Sequence, residues 1–433
     1  MGQVGRVGIR IVDASDTRAV TRLLTPPARE DRAFTRRVQR IVDTVRSGGD
    51  RALLRFARRF DGLTAPMEVS ADEMRDGAAR VDPAVRLAIH RAAANIARVA
   101  FRQIPKHWDL EVAPGVLVEQ RVEPLARVGC YVPGGRFPLP SSLLMTAVPA
   151  RVAGVREIIA VCPRPEPAVM AAALEAGVTK LFRVGGAHAI AALAYGTKSI
   201  PRVDKIVGPG NRYVAAAKAL VAGRSAIDFY AGPTEIVIVA GGAGEGHPEW
   251  IAADLIAQAE HDPDARAVFI TWSRSLAARV ARAVARRGAG RTIVERSLRS
   301  HGAIIVATTS AEAIALANRF APEHLVVDRE GLINRPLTAG AVFVGAYTAQ
   351  VAGDYATGSN HVLPTAGAAR FRGGLSAADF VRVMSVQRVT RAGLAGLAPT
   401  IVSLARAEGL DAHAESIEVR LGRSALGPEP SAL

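Results

Sequence analysis

Aromatic residues make up only 5% of this 433-residue chain. That is poor material for the stacking platforms that hold single-stranded nucleic acid. The net charge of +15 does not restore such a reading. Its excess is mostly arginine spread over helical stretches, as at Arg36-Arg37, Arg58-Arg59, Arg282, Arg286 and Arg287. No basic tail or patch interleaved with aromatics occurs, so the charge is expected to coat a solvated surface, with no nucleic-acid partner.

Cysteine is nearly absent. Cys130 and Cys162 form no CxxC pair, and nothing in the sequence points to an oxidising compartment. Both lie in apolar, strand-like surroundings where a buried free thiol is the default. No apolar run reaches about 18 residues, so no membrane-spanning helix is expected. Met1 to Arg10 lacks the apolar core of a secretion signal, and Arg6 stands where myristoylation wants Ser or Thr. The cytoplasm is the expected location. Three familiar motifs are missing as well: G-x-G-x-x-G, G-x-x-x-x-G-K-[ST] and H-E-x-x-H. A regular Rossmann dehydrogenase, a P-loop ATPase and a zinc protease are therefore disfavoured.

What is present is a rhythm. After one strand-like run at Gly8–Val12, residues 29 to 103 read as helical, with Thr35–Ser47, Asp50–Arg59 and Pro83–Arg102. From about residue 127, short apolar runs alternate with helical ones. Ile158–Val161, Lys180–Val184, Lys205–Val207, Glu235–Ala240, Ala267–Thr271, Ala303–Ala307, Leu325–Asp328 and Ala341–Val344 are expected strands. Between them lie helical stretches such as Ser141–Val152, Ala187–Tyr195 and Pro248–His261. This is the βαβ pattern of a parallel sheet covered on both faces. Two α/β domains, one interrupted by the other, are the economical arrangement. The residues from Ser376 on read as helical.

Five histidines, His188, His261, His324, His361 and His413, stand beside glycines, carboxylates or amides. Gln258 and His261 share a helix face by their spacing of three. Glu323 and His324 stand at the mouth of a buried strand, and ligands of α/β sheets gather at strand ends. Asp354 and His361 bracket a glycine-rich loop. Glu408 and His413 lie near the C-terminus. Gln258, His261, Asp354 and His413 form a nitrogen and oxygen donor set that suits Zn²⁺, Mn²⁺ or Co²⁺. Their separation in sequence does not say whether they meet.

Taken in order, several segments resemble the histidinol dehydrogenases. They include Gly129–Gly135, Val184–Ala187, Val203–Asn211, Ile227–Glu235, Gln258–His261, Pro322–Leu325 and Gly353–Pro364. The resemblance runs from about Asp50 to Glu418. It implies NAD-linked oxidation of L-histidinol to L-histidine through a bound aldehyde, with one Zn²⁺ per subunit. Gln258, His261, Asp354 and His413 match the zinc ligands, which also hold substrate, and Glu323 and His324 match the catalytic pair. Thr234, His361 and Glu408 match substrate contacts, and Tyr131, His188 and Asn211 match positions touching NAD. The implied fold is two incomplete Rossmann-like parallel-sheet domains, one inserted in the other, with a short N-terminal arm and a helical C-terminal segment. The expected bounds are 1–24 for the arm, 25–130 with 236–378 for the catalytic domain, 131–235 for the NAD domain, and 379–433 for a dimerisation segment. The implied state is a homodimer in which Glu408 and His413 complete the partner's site.

The sequence departs from the family pattern at a few places. His188 stands where glutamine is usual, Thr234 where serine is also common, and Val99-Ala100 where Phe-His is frequent. The Gly135–Pro140 stretch is not the commonest form either. Two alternatives therefore accompany histidinol. One is another polar alcohol, such as a sulfonated diol. The other is a non-catalytic zinc- or nucleic-acid-binding relative.

Overall fold

Runs such as Ile236-Val237-Ile238-Val239 carry no polar face, so they are stable only as parallel strands covered on both sides. The computed structural model describes residues 8–25, 31–134, 139–230, 232–242 and 246–422. The chain divides into two compact units, one of residues 1–103 and 125–380, the other of residues 104–124 and 381–433.

Along the chain the first strands are β1 (Arg10–Asp13), β2 (Glu68–Val69), β3 (Trp108–Ala113), β4 (Val116–Pro124) and β5 (Arg127–Tyr131). Then come β6 (Glu157–Val161), β7 (Lys180–Phe182), β8 (Lys205–Val207), β9 (Ala226–Ile227) and β10 (Glu235–Val239). The last are β11 (Arg266–Thr271), β12 (Ala303–Val306), β13 (His324–Val327), β14 (Ala341–Val344) and β15 (Val381–Val389).

The first unit holds two six-stranded sheets. One runs β1-β12-β11-β10-β13-β14 and is parallel throughout. The other runs β2-β7-β6-β5-β8-β9 and is parallel except at β2. Each is built outward from a central strand, β10 or β5, and then resumes on that strand's other side, which is the Rossmann-like order. The chain gives β1 to the first sheet, builds the second, and returns to complete the first. The insertion expected from the sequence is thus present.

The partition of helices differs from expectation. The segment 25–130 was assigned above to the catalytic sheet. Its helix Arg32–Phe56 instead shares a core with the inserted sheet, where Phe34, Val38, Val42 and Val45 meet Ile159, Phe182 and Ile190. The spacing of those four residues makes one apolar stripe, and a stripe does not reveal which sheet it covers. The helices Ala71–Ala79 and Pro83–Gln103 pack on helices of the inserted sheet too. The N-terminal segment is not a loose arm either. β1 pairs with β12, and Val20, Leu23 and Leu24 are buried on the catalytic sheet.

The second unit contains an antiparallel sheet, β15-β4-β3, followed by the helices Arg391–Ala407 and Asp411–Glu418. The helical reading from Ser376 therefore fails over Val381–Val389. That segment opens with the alternation Val381-Arg382-Val383, a pattern that β3 and most of β4 carry further, and alternation specifies a half-covered strand. Register sets Trp108, Leu110, Val122 and Val383 on one face, and Trp108, Leu110 and Val383 are exposed. Among the described residues no helix is long and apolar enough to cross a membrane.

Candidate active site

Open parallel sheets usually bind ligands at the carboxyl ends of their strands. The catalytic candidates here stand at the opposite edge. Thr234 precedes β10, Glu323 precedes β13, His324 opens β13, and Gln258 and His261 precede β11. They are reached because the seven residues Asp228–Thr234 carry the chain from the carboxyl end of β9 to the amino end of β10. Asp354 and His361 come from the segment after β14, where Gly353 packs against the Phe343 ring.

The group is chained by hydrogen bonds. Gln258 Nε2 donates to Thr234 Oγ1, and the Thr234 hydroxyl donates to Glu323 Oε2 at 2.6 Å. The Glu235 N–H donates to the same carboxylate oxygen at 2.9 Å. His324 Nδ1 stands 3.0 Å from the Glu235 carbonyl oxygen, which can only accept, so this nitrogen carries the proton. The other ring nitrogen, Nε2, is then a lone-pair acceptor. It lies 3.9 Å from Asp354 Oδ1 and has no hydrogen-bond partner. His361 Nδ1 lies 3.0 Å from the Asp354 carbonyl oxygen.

Burial sets the protonation states. It pushes the Glu323 carboxyl up to about 8, against the hydrogen bonds from Thr234 and Glu235, with Asp354 raising it further. It lowers His324, which Asp354 only partly offsets. It lowers His361 as well, helped by the neighbouring His324 and His261 and opposed by Asp354. At neutral pH His324 and His361 are thus neutral and Glu323 is protonated.

Gln258 Oε1 is the second buried polar atom of this group without a partner. Its amide nitrogen is spent on Thr234, so the carbonyl oxygen is the free end. Asp354 is held from behind by Gln350 Nε2 at 2.8 Å, the outer-shell support usual for a ligating carboxylate. Gln258 Oε1 and Asp354 are therefore donors of the kind an oxygen- and nitrogen-liganded divalent cation takes, and the exposed His261 follows Gln258 at the end of the same helix. Among the described residues no three His, Cys, Asp or Glu side chains gather to hold a metal by themselves. The remaining expected positions, Glu408 and His413, belong to the second unit, where both are exposed.

Tyr131, His188 and Asn211 stand at the carboxyl edge of the inserted sheet. Its order reverses between β5 and β8, the switch point where dinucleotides bind. Asn211 is exposed and caps the helix Arg212–Val221 through bonds from Tyr213 N and Val214 N. Tyr131 is buried, and its hydroxyl accepts from Gly186 N at 3.1 Å. His188 is buried beside the stacked rings of Phe56 and Phe60, its Nε2 2.8 Å from Asp61 Oδ2, which also accepts from Gly185 N. Tyr131 thus holds the turn after β7 directly, and His188 holds it through Asp61. The turn after β8 is held from below. Asp228 accepts from Gly208 N at 2.8 Å, and Lys218, paired with Asp228, donates to the Gly208 carbonyl.

Gly208 has φ +117°, and a Cβ there would collide with the Tyr131 carbonyl oxygen. Gly208→Ala is expected to cost about 1–3 kcal/mol from the backbone conformation alone, and more from the collision. Chemical denaturation checks the stability.

Sequence reasoning passed over Asp61, Glu235, Arg266 and Gln350. A charged residue opening an otherwise apolar strand, as Glu235 and Arg266 do, was the available signal. Of the Gly135–Pro140 departure, residues 135–138 lie outside the described residues.

Comparison with known proteins agrees with this arrangement. The family profile described as histidinol dehydrogenase matches residues 25–421. The histidinol dehydrogenase of Geobacter sulfurreducens is 47% identical over 395 residues, covering 88% of this chain and 92% of that protein. That of Pseudomonas savastanoi pv. phaseolicola is 42% identical over 433 residues, covering 95% and 96%. The crystal structure of histidinol dehydrogenase from Elizabethkingia anophelis superposes with a TM-score of 0.90 at 32% identity, over 96% of this chain and 98% of that one. With its profile matched almost end to end and its inserted double-sheet fold shared, the chain belongs to the histidinol dehydrogenase family.

Proposed function

We propose that the chain oxidises L-histidinol to L-histidine through histidinaldehyde, reducing two NAD per turnover. The observation that carries this is the free, buried Nε2 of His324, with its tautomer fixed by Glu235. NAD supplies the hydride acceptor, and a Zn²⁺ on Gln258, His261, Asp354 and His413 anchors the substrate's imidazole and amine. His324 takes the hydroxyl proton as hydride leaves the carbinol carbon, giving the aldehyde. Water then adds to the aldehyde, with Glu323 accepting the water's proton, and the hydrate loses a second hydride. The sum is one alcohol, one water and two NAD⁺ giving one carboxylate, two NADH and three protons. Thr234 and His361 line the substrate side. Tyr131 and His188 shape the NAD edge through the turn they hold, and Asn211 faces the cofactor.

Glu408 and His413 are exposed in a unit whose sheet also exposes Trp108, Leu110 and Val383. Exposed apolar area of this kind supports a homodimer that shares its sites. The two unpaired buried cysteines suit a cytoplasmic enzyme.

The test is NADH absorbance with purified, zinc-loaded protein, NAD and histidinol. Two NADH per histidinol are expected, with activity lost to a chelator and recovered with Zn²⁺. Turnover of a sulfonated diol in place of histidinol would move the reading to another alcohol. No NADH from any polar alcohol would end it.

A further inference from the structure

One residue touches both members of the catalytic pair, and it does so through its backbone. The Glu235 N–H serves Glu323, and its carbonyl serves His324. Strand periodicity sends its side chain the other way. Ile236 is in register with His324, so the Glu235 side chain projects to the opposite face, with Val237 and Val268. Helices Thr17–Leu24 and Ser310–Phe320 cover that face.

There the Glu235 carboxylate, 1% exposed, meets Arg266 NH1 at 3.0 Å and the Ala366 N–H at 3.2 Å. Arg266 is the registered partner of Glu235 on β11. It donates its other terminal nitrogen to the Leu23 carbonyl and stacks over the Phe320 ring at 4.2 Å. Among the described residues the guanidinium thus contacts neither His324 nor Glu323, although the Glu323 charge bears on the Glu235 carboxyl.

A buried ion pair is a weak source of stability, because desolvating both charges offsets most of their attraction. Two apolar residues would fill the same core. They would not pin the first peptide of β10, whose N–H and carbonyl are turned to side chains at the sheet's amino edge. We propose that Glu235 and Arg266 are a positioning pair for the dehydrogenase reaction, holding from the face of the sheet opposite His324 the peptide groups that aim His324 Nε2 and Glu323. This rests on the reading of Glu323 and His324 as the catalytic pair.

The test replaces the pair by apolar groups, Glu235→Leu with Arg266→Met, an exchange that commonly leaves folding stability unchanged or higher. The zinc-loaded double variant is expected to bind Zn²⁺ and NAD as the parent does. Its kcat is expected to fall about a hundredfold, the loss that a misplacement of about 1 Å brings. The ¹⁵N resonances of the His324 ring should lose the signature of a single Nδ1–H tautomer. Arg266→Lys keeps the ion pair without the second donor to Leu23, and it should retain more activity than the double variant. If the double variant does not fold, Arg266→Lys carries the same readouts. A folded variant with parental kcat, or a fallen kcat with unchanged His324 resonances, overturns the proposal. His324→Ala in the same assay separates the two ideas, since turnover retained there removes the catalytic reading itself whatever the Arg266 variants do.

Discussion

Replacing His324 by alanine is expected to lower kcat about a thousandfold, within the range of about 10²–10⁴ that a positioned base contributes. Three features argue for an effect of this size. The ring is buried, so water does not substitute for it. Its Nδ1 proton is committed to the Glu235 carbonyl, so the basic nitrogen is always Nε2. Burial depresses its protonation, so the base is already neutral below neutral pH. Zinc content and NAD affinity should survive, because Gln258, His261 and Asp354 are untouched. Metal analysis and calorimetric titration of NAD accompany the rate measurement. Loss of zinc would mean that His324 is a ligand rather than a base.

The elements that make this site were unevenly legible. Strands with continuous apolar runs, such as β10, β11 and β13, announce themselves because burial on both faces leaves no polar position. The alternating strands β3 and β4 were also specified, yet alternation is overlooked when only continuous runs are followed, and β15 alternates only at its start. Gln258, His261, Glu323, His324 and Asp354 could be picked out by type and context. Their convergence could not, because β11, β13 and the segment after β14 are brought together by sheet order. Sequence order alone does not give that. The choice of the amino edge was invisible for the same reason. It follows from the Asp228–Thr234 link, which begins at one sheet's carboxyl edge and ends at the other's amino edge. The glutamine-to-histidine departure at 188 was visible, but its consequence depends on Asp61, which is 127 residues away in sequence.

Glu323→Gln should remove activity and add stability. The isostere still accepts from Thr234 and Glu235, so packing is preserved. The sign follows from proton linkage in the metal-free protein. Burial raises the folded carboxyl from its ordinary 4.5 to about 8, so between those values the folded chain binds a proton that the unfolded chain has released. Stability from this group is therefore fully present below about pH 4.5 and is lost as pH rises towards 8, at up to about 1.4 kcal/mol per pH unit. Glutamine has no such proton. The stability advantage of the variant should be absent near pH 4.5, grow through neutrality and level off above pH 8. Denaturant unfolding at pH 5, 7 and 8.5 measures it. A constant difference across that range would show that Glu323 is ionised at neutral pH in the folded state. In the zinc-loaded parent, kcat should rise with pH as Glu323 ionises to accept the proton of water, and the variant should lack that limb.

The amino-edge placement has an electrical consequence. In a parallel α/β sheet, helices begin at the carboxyl edge and end at the amino edge. Each helix terminus carries roughly half an elementary charge, positive where it begins and negative where it ends. The helix Pro248–Ala259 runs out at Gln258 and His261, and the helix Ser310–Phe320 stops just before Glu323. The carboxyl edge of the inserted sheet instead meets the starts of Gly186–Tyr195 and Arg212–Val221. One sheet thus offers the negative ends of its helices and the other the positive ends. That polarity favours positive charge at the first edge and negative charge at the second, before any side chain is counted.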